Sequence, residues 1–172
     1  MIHIVCGPLG AGKTTYAMQL AEKEKAIRFT EDEWLARLFV PDAPVDIMSE
    51  SVERISSWAT DKYSRCRGQI WSVSKQLIEQ GFSVIFDGAA ASKEQRDSIR
   101  TKAKLHNQDF KLHYVNAAPI IRKERALARN HIKGSTFSLE VTPEVFDFME
   151  TFFEPPIGSE LIDAIVVNTD SE

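Results

Sequence analysis

The segment Gly7-Pro8-Leu9-Gly10-Ala11-Gly12-Lys13-Thr14 constrains this chain more than any other stretch of it. It satisfies G-x-x-x-x-G-K-[ST] in full. Glycines at these spacings let the backbone turn successive N–H groups inward around phosphate oxygens, and the following helix N-terminus adds a favourable dipole. In such a loop Lys13 reaches the β- and γ-phosphates and the Thr14 hydroxyl ligates Mg²⁺. Gly7, Pro8, Leu9, Gly10, Ala11, Gly12, Lys13, Thr14 and Thr15 are therefore the expected cradle for a polyphosphate. An accidental match in a chain of this length has odds on the order of one in a hundred or less. The context required by the mechanism is also present: an apolar run precedes the loop and a helical stretch follows it.

Apolar runs at 2–6, 26–29, 82–86, 111–115 and 164–167 read as five short strands. Between them lie helical stretches at 15–25, from about 30 to 39, 51–80, 93–105, 119–130 and from Thr142-Pro143 to the Pro155-Pro156 stop. Thr30-Glu31-Asp32-Glu33 has the pattern of a capping box. Gly81 is placed to end the long third helix. Strands alternating with helices predict an α/β fold, a parallel sheet covered on both faces. No repeat or linker interrupts residues 1–172, so one domain is expected.

Composition narrows the partners. The chain has 172 residues, 43% hydrophobic and 27% charged, which suits a globular core without disulfide or metal staples. Its net charge of −4 supplies no global field for nucleic acid or anionic lipid. No run approaches the roughly 18 apolar residues of a membrane helix, and residues 1–6 are too short for a signal peptide. Cys6 and Cys66 form no disulfide framework and are expected as reduced, structural thiols of a cytoplasmic protein.

What attacks the phosphate can be narrowed by elimination. No glycine follows an Asp by three positions and no Asn precedes Lys, so the D-x-x-G and N-K-x-D signatures of GTPases are missing. Val84-Ile85-Phe86-Asp87 ends in Gly88, where many P-loop ATPases place a water-polarising Glu. An acceptor hydroxyl is thus favoured over water. Asp87, at a strand end, is the candidate to hold Mg²⁺ through its water shell, against a bland role as a turn residue. Asp32, after the second strand, is the candidate base for the acceptor hydroxyl, although Glu31 and Glu33 compete and first-turn acids also stabilise helices unaided. Arg122, Arg125 and Arg129 share a helical face at i, i+3 and i+7; such spacing by itself usually gives a solvated basic face, but beside the phosphate loop the three are expected to neutralise phosphate charge: Arg122 at the nucleotide, Arg125 and Arg129 in catalysis with Lys13. The polar loop 131–141 beyond them suits a closing lid. Arg96 and Arg100 are expected at the surface, Arg65 and Arg67 on a solvated helix face in preference to a seat for an anionic acceptor, and Trp58, Trp71 and the 146–153 aromatics in the core.

Taken together, the chain resembles the P-loop kinases of the zeta-toxin, polynucleotide 5′-kinase and chloramphenicol phosphotransferase type, with the bacterial kinase-like chains around them. The resemblance spans nearly the whole length. It rests on Gly7–Thr15, Phe29-Thr30-Glu31-Asp32-Glu33, Val84-Ile85-Phe86-Asp87-Gly88, Arg96, Arg122-Lys123-Glu124-Arg125 to Arg129-Asn130, and Phe153-Glu154-Pro155-Pro156 with Glu160. It implies a three-layer P-loop fold with strand order 2-3-1-4-5, like that of nucleoside monophosphate kinases, with an arginine-bearing lid over 120–141. It also implies Asp32 as general base. The activity implied is transfer of the γ-phosphate of ATP, with Mg²⁺, to a hydroxyl acceptor that docks around residues 40–80. The group's acceptors run from sugars to nucleic acid ends, so no substrate transfers. The second reading is an ATP-binding switch, non-catalytic or slowly hydrolysing, that acts through a protein partner.

Overall fold

The computed structural model describes residues 1–44, 47, 50–88, 90–132 and 141–171. Five strands, β1 (Ile2–Cys6), β2 (Ile27–Thr30), β3 (Val84–Asp87), β4 (Phe110–Asn116) and β5 (Ile165–Asn168), form one parallel sheet in the order β2-β3-β1-β4-β5. This is the expected order. Among the described residues six α-helices accompany them: α1 (Lys13–Glu24), α2 (Glu31–Leu38), α3 (Val52–Glu79), α4 (Lys93–Leu105), α5 (Pro119–Ile132) and α6 (Pro143–Glu150). Residues 133–140 of the expected lid lie outside the described residues.

Side-chain alternation along the strands divides the core. Ile2, Ile4 and Cys6 of β1 join Phe29, Val84, Phe86 and Leu112, and pack against Cys66, Ile70 and Ile78 of α3 and Ile99 and Ala103 of α4. Val5, Ile85 and Val115 face the other way, onto Ala17 and Leu20 of α1. Every residue of β1 is buried, as the central strand of a doubly covered sheet must be. Both cysteines are free and buried. On the α1 face His3 Nδ1 lies 3.0 Å from His113 Nε2, and His113 Nδ1 lies 2.8 Å from the Tyr16 hydroxyl. Burial, reinforced by the neighbouring His3, lowers the His113 pKa to about 4.

Helix ends mostly follow their local signals. Ser51 caps α3, Ser92 and Gln95 form a capping box on α4, and Thr142 caps α6 ahead of Pro143. Two expectations are corrected. Thr30 makes no side-chain cap on α2, and the Glu33 carboxylate, which a capping box would turn back to the Thr30 backbone N–H, is instead bound by Arg28 at 2.5 Å. Arg96 is not at the surface: it is fully buried and bidentate with Glu160 (2.7 and 3.1 Å). It also donates to the Glu154 carbonyl at 2.9 Å, while the Glu154 carboxylate accepts from the Lys93 backbone N–H at 2.7 Å. The Phe153–Pro156 segment with Glu160 is thus a clamp on the α4 N-terminus, where a carboxylate is also favoured by the helix dipole. Arg100 stays outside, paired with Asp97 and stacked on Phe110. Trp71 packs on the core as expected; Phe146 is buried, while Phe148 and Phe152 are exposed.

Candidate active site

Strand register brings the functional segments to one edge. Val5 pairs with Asp87, and Thr30 pairs with Asp87 from the other side. The loop after β1, the end of β3 and the start of α2 therefore meet at the carboxyl end of the sheet, where ligands of open α/β sheets gather.

The loop at Gly7–Gly12 is wrapped tightly against its neighbours. A Cβ on Gly7 would sit 2.0 Å from the Val115 carbonyl oxygen, and one on Gly10 would sit 2.2 Å from that of Arg122. Gly10 also has a φ of 77°, in the left-handed region that L side chains avoid. Behind the loop, Arg122 donates to the Leu9 carbonyl (3.2 Å), to the Ala117 carbonyl (2.9 Å) and bidentately to Glu150 (2.6 and 2.7 Å). Arg122 is only 4% exposed. The nucleotide contact expected of it gives way to a bracing role, since each guanidinium nitrogen already has a protein acceptor. Arg125 donates to the Thr169 hydroxyl and carbonyl at 3.0 and 2.6 Å, and Thr169 in turn donates to the Ala11 carbonyl at 3.0 Å. Thr169 carries no sequence signal; only the fold brings it to the loop.

Across from the loop stands a second set of groups. Asp32 is exposed at the first turn of α2, and the Tyr63 hydroxyl donates to its Oδ1 at 2.7 Å. A Cβ built on Gly88 would lie 3.8 Å from Asp32 Oδ2 and 3.9 Å from Lys13 Cε, so carboxylate and lysine flank one small gap. The competing acids are committed elsewhere. Glu31 is held by Arg67 at 2.9 and 2.7 Å, and Glu33 by Arg28. Arg67 is thereby drawn from the solvated face expected of it, whereas Arg65 pairs with Asp61. Burial lowers the Lys13 pKa, with Asp32 and Asp87 opposing that shift; the ammonium donates to the Pro8 carbonyl at 2.9 Å. Burial likewise lowers the Arg129 pKa, and Asp32 opposes it. Of the three α5 arginines, Arg129 is the one whose charge is felt by both Asp32 and Lys13.

Asp87 is buried, with Arg28 donating to its Oδ2 at 2.7 Å. Its Oδ1 is buried with no hydrogen-bond partner among the described residues. Burial raises the Asp87 pKa, and the adjacent Arg28 and Lys13 counteract this. An orphaned carboxylate oxygen beside the phosphate loop suits a hard cation, so the residues fit Mg²⁺. Thr14 and Asp87 would hold it, and the ion would neutralise charge on β- and γ-phosphate oxygens. Arg28 was not singled out from the sequence; a charged residue inside the short apolar strand Ile27–Thr30 was the available signal.

Comparison with known proteins bears on the fold that carries this site. A family model described as an AAA domain matches residues 2–156. A Chloroflexus aurantiacus protein described as a candidate kinase shares the fold with a TM-score of 0.72 at 14% identity, over 99% of this chain and 88% of that one. Chaetomium thermophilum Kti12, solved in complex with ADP-AlF3, aligns with a TM-score of 0.69 at 14% identity, over 100% and 91%. A gluconokinase from Sinorhizobium meliloti 1021 aligns with a TM-score of 0.59 at 15% identity, over 98% and 81%. At these identities the likeness is one of fold. No curated protein matches the sequence significantly.

Proposed function

The chain belongs to the AAA-domain family, and from that premise we propose that it is an ATP-dependent phosphotransferase acting on the hydroxyl of a small molecule or nucleotide. The observation that carries this reading is the gap at Gly88, flanked by Asp32 Oδ2 and the Lys13 side chain. A water-activating Glu in that position would favour hydrolysis; a glycine there leaves room for an acceptor. In the reaction, the acceptor oxygen forms a bond to the γ-phosphorus as the bond to the β,γ-bridging oxygen breaks. The hydroxyl proton passes to Asp32, and ADP leaves. Lys13 and Arg129 neutralise charge on the transferring group, and Tyr63 fixes the orientation of the base. Arg125 acts one step removed, through Thr169 and the Ala11 carbonyl. Thr14 and Asp87 would hold Mg²⁺, which would supply charge neutralisation at the phosphates. The expected single kinase-like domain over 1–172 has 40–80 as its acceptor side and 120–141 as its lid, of which 133–140 lie outside the described residues. A cytoplasmic setting accords with two free cysteines and with the absence, among the described residues, of any helix long and apolar enough to cross a membrane.

The test is a comparison of variants with ATP and a metabolite library. Lys13→Ala is expected to abolish ATP turnover. Asp32→Asn is expected to keep ATP affinity while transfer is lost; transfer at the wild-type rate would remove Asp32 from the role of base. The second reading, an ATP-binding switch working through a partner, draws support from Arg28 holding Asp87, an arrangement that occupies one oxygen of the carboxylate expected at the metal. Tight ATP binding without any phosphorylated product, together with nucleotide-dependent capture of a partner, would select it.

A further inference from the structure

One face of α3 runs away from the candidate base. Tyr63 touches Asp32, Arg67 touches Glu31 one turn later, and Trp71 follows after another turn. Beneath this face, between α3 and α4 and over Phe86 of β3, lies a cavity of about 260 Å³. That is roughly the liquid volume of eight or nine waters, which suits a small metabolite and not a second nucleotide. A larger depression of about 520 Å³ lies along the exposed side of α4, but every residue lining it belongs to that one helix, so it lacks opposing walls.

The walls of the inner cavity carry unequal charge. Arg67 and Glu31 neutralise each other, although Arg67 Nη1 makes no hydrogen bond among the described residues. Lys102 is half-buried, its Nζ 4.9 Å from the centre of the Trp71 ring, and it has no ion-pair partner among the described residues. Burial, with Arg67 nearby, lowers the Lys102 pKa, as two cations sharing a partly dry space require. Glu94 brings an opposing charge, but it is exposed and solvent screens its field. The Gln95 and Ser98 side chains add neutral hydrogen-bonding groups to the lining. An anion seated between Lys102 and Arg67 Nη1 would relieve the repulsion and use both sets of vacant donors.

We propose that this cavity receives the phosphoryl acceptor, and that the acceptor is a small hydroxyl-bearing anion whose charged group sits between Lys102 and Arg67 over Trp71. The assignment rests on the phosphotransfer reading above. The anion's seat lies one to two helical turns along α3 from the Tyr63–Asp32 pair, at about 5.4 Å per turn, a span that a short polyol chain covers. A hydroxyl at its far end is thus presented to Asp32, and transfer proceeds with the bond changes already given.

The experiment is calorimetric titration of the protein saturated with a non-hydrolysable ATP analogue and Mg²⁺, so that the phosphate loop is filled. The probes are glycerate, threonate and gulonate, their neutral counterparts glycerol, threitol and sorbitol, and glycerol 3-phosphate. At least one anion is expected to bind about tenfold or more tighter than its neutral counterpart. Lys102→Met should raise that Kd about tenfold, Lys102→Arg should hold it within about threefold, and Lys104→Met, an exposed neighbour outside the lining, should leave it unchanged. Glycerol 3-phosphate ahead of glycerate identifies a phosphate seat, and the reverse order a carboxylate seat. Equal binding of neutral and charged probes, no binding by any anion, or an unchanged Kd in Lys102→Met overturns the proposal. The two readings fail separately. Loss of affinity for the ATP analogue removes phosphotransfer, while the same titrations on nucleotide-free protein still report on the cavity; normal analogue affinity without discrimination removes the acceptor assignment alone.

Discussion

The two walls of the site are built on opposite terms. Behind the phosphate loop every strong polar group described has found a protein partner: Arg122 with Glu150 and two carbonyls, Arg125 with Thr169, Thr169 with Ala11. On the facing side Glu31, Glu33 and Asp87 have arginine partners, but charge is left open at Asp32 Oδ2 by the Gly88 gap, at Arg129, which has no ion-pair partner among the described residues, and, further along in the α3–α4 cavity, at Lys102. The contrast runs along a single helix, since Arg122 and Arg129 share a face of α5. A paired wall gives a rigid cradle, and an unpaired wall keeps donors and acceptors available for groups that change charge during reaction. Equal spacing on a helix therefore does not make equal roles; what each side chain meets decides.

The largest expected effect comes from the open wall. Asp32→Asn should lower the transfer rate by about 10²–10⁴-fold with ATP affinity changed by less than about threefold, read by product formation and calorimetry. Next come the two ends of α5, which separate the walls most cleanly. Arg122→Ala leaves the partly exposed Glu150 without its partner and frees the Leu9 carbonyl, so chemical denaturation should show a loss of about 3 kcal/mol. Arg129→Ala should cost stability no more than about 0.5 kcal/mol yet slow transfer about 100-fold. A reversed pattern would break the comparison.

A third effect belongs to neither wall and serves as a reference. His113 is neutral in the fold, and its pKa of about 4 lies below the ordinary 6.5. The folded state takes up its proton later than the unfolded chain does. The stability it contributes is complete above pH 6.5 and is lost as pH falls through about 4. The loss should be on the order of 2–3 kcal/mol across that window, and His113→Gln should flatten it in pH-dependent denaturation. The smallest effect should come from Tyr63→Phe: about a tenfold fall in kcat, with KM for ATP unchanged, because Asp32 keeps its place but loses one fixed orientation.

Some of this was legible before any coordinates. The phosphate loop is a local device, so its residues alone specify it. Strands announce themselves as apolar runs, the buried β1 and β3 as much as the largely exposed β5, and Pro143, Ser51 and Gly81 mark helix ends through local hydrogen bonding and sterics. Strand order is different: no local property encodes it, and it followed only from the resemblance. Pairings between distant segments were equally hidden. Thr30 and Glu33 had the right spacing for a cap, but Arg28 on the adjoining strand took Glu33 instead. Arg96 looked like one more charged helix residue until Glu160, 64 positions away, folded onto it. Glu31, Asp32 and Glu33 could not be ranked from spacing. In the fold Arg67 pairs with Glu31 and Arg28 with Glu33, which leaves Asp32 without an ion pair among the described residues.

The most direct measurement follows the γ-phosphate itself. Protein given γ-³²P-ATP and Mg²⁺ with a pool of hydroxyl-bearing metabolites should move label into a stable phosphate ester, and Asp32→Asn should leave it in ATP. Label released only as inorganic phosphate, at the same rate in both proteins, would contradict the account.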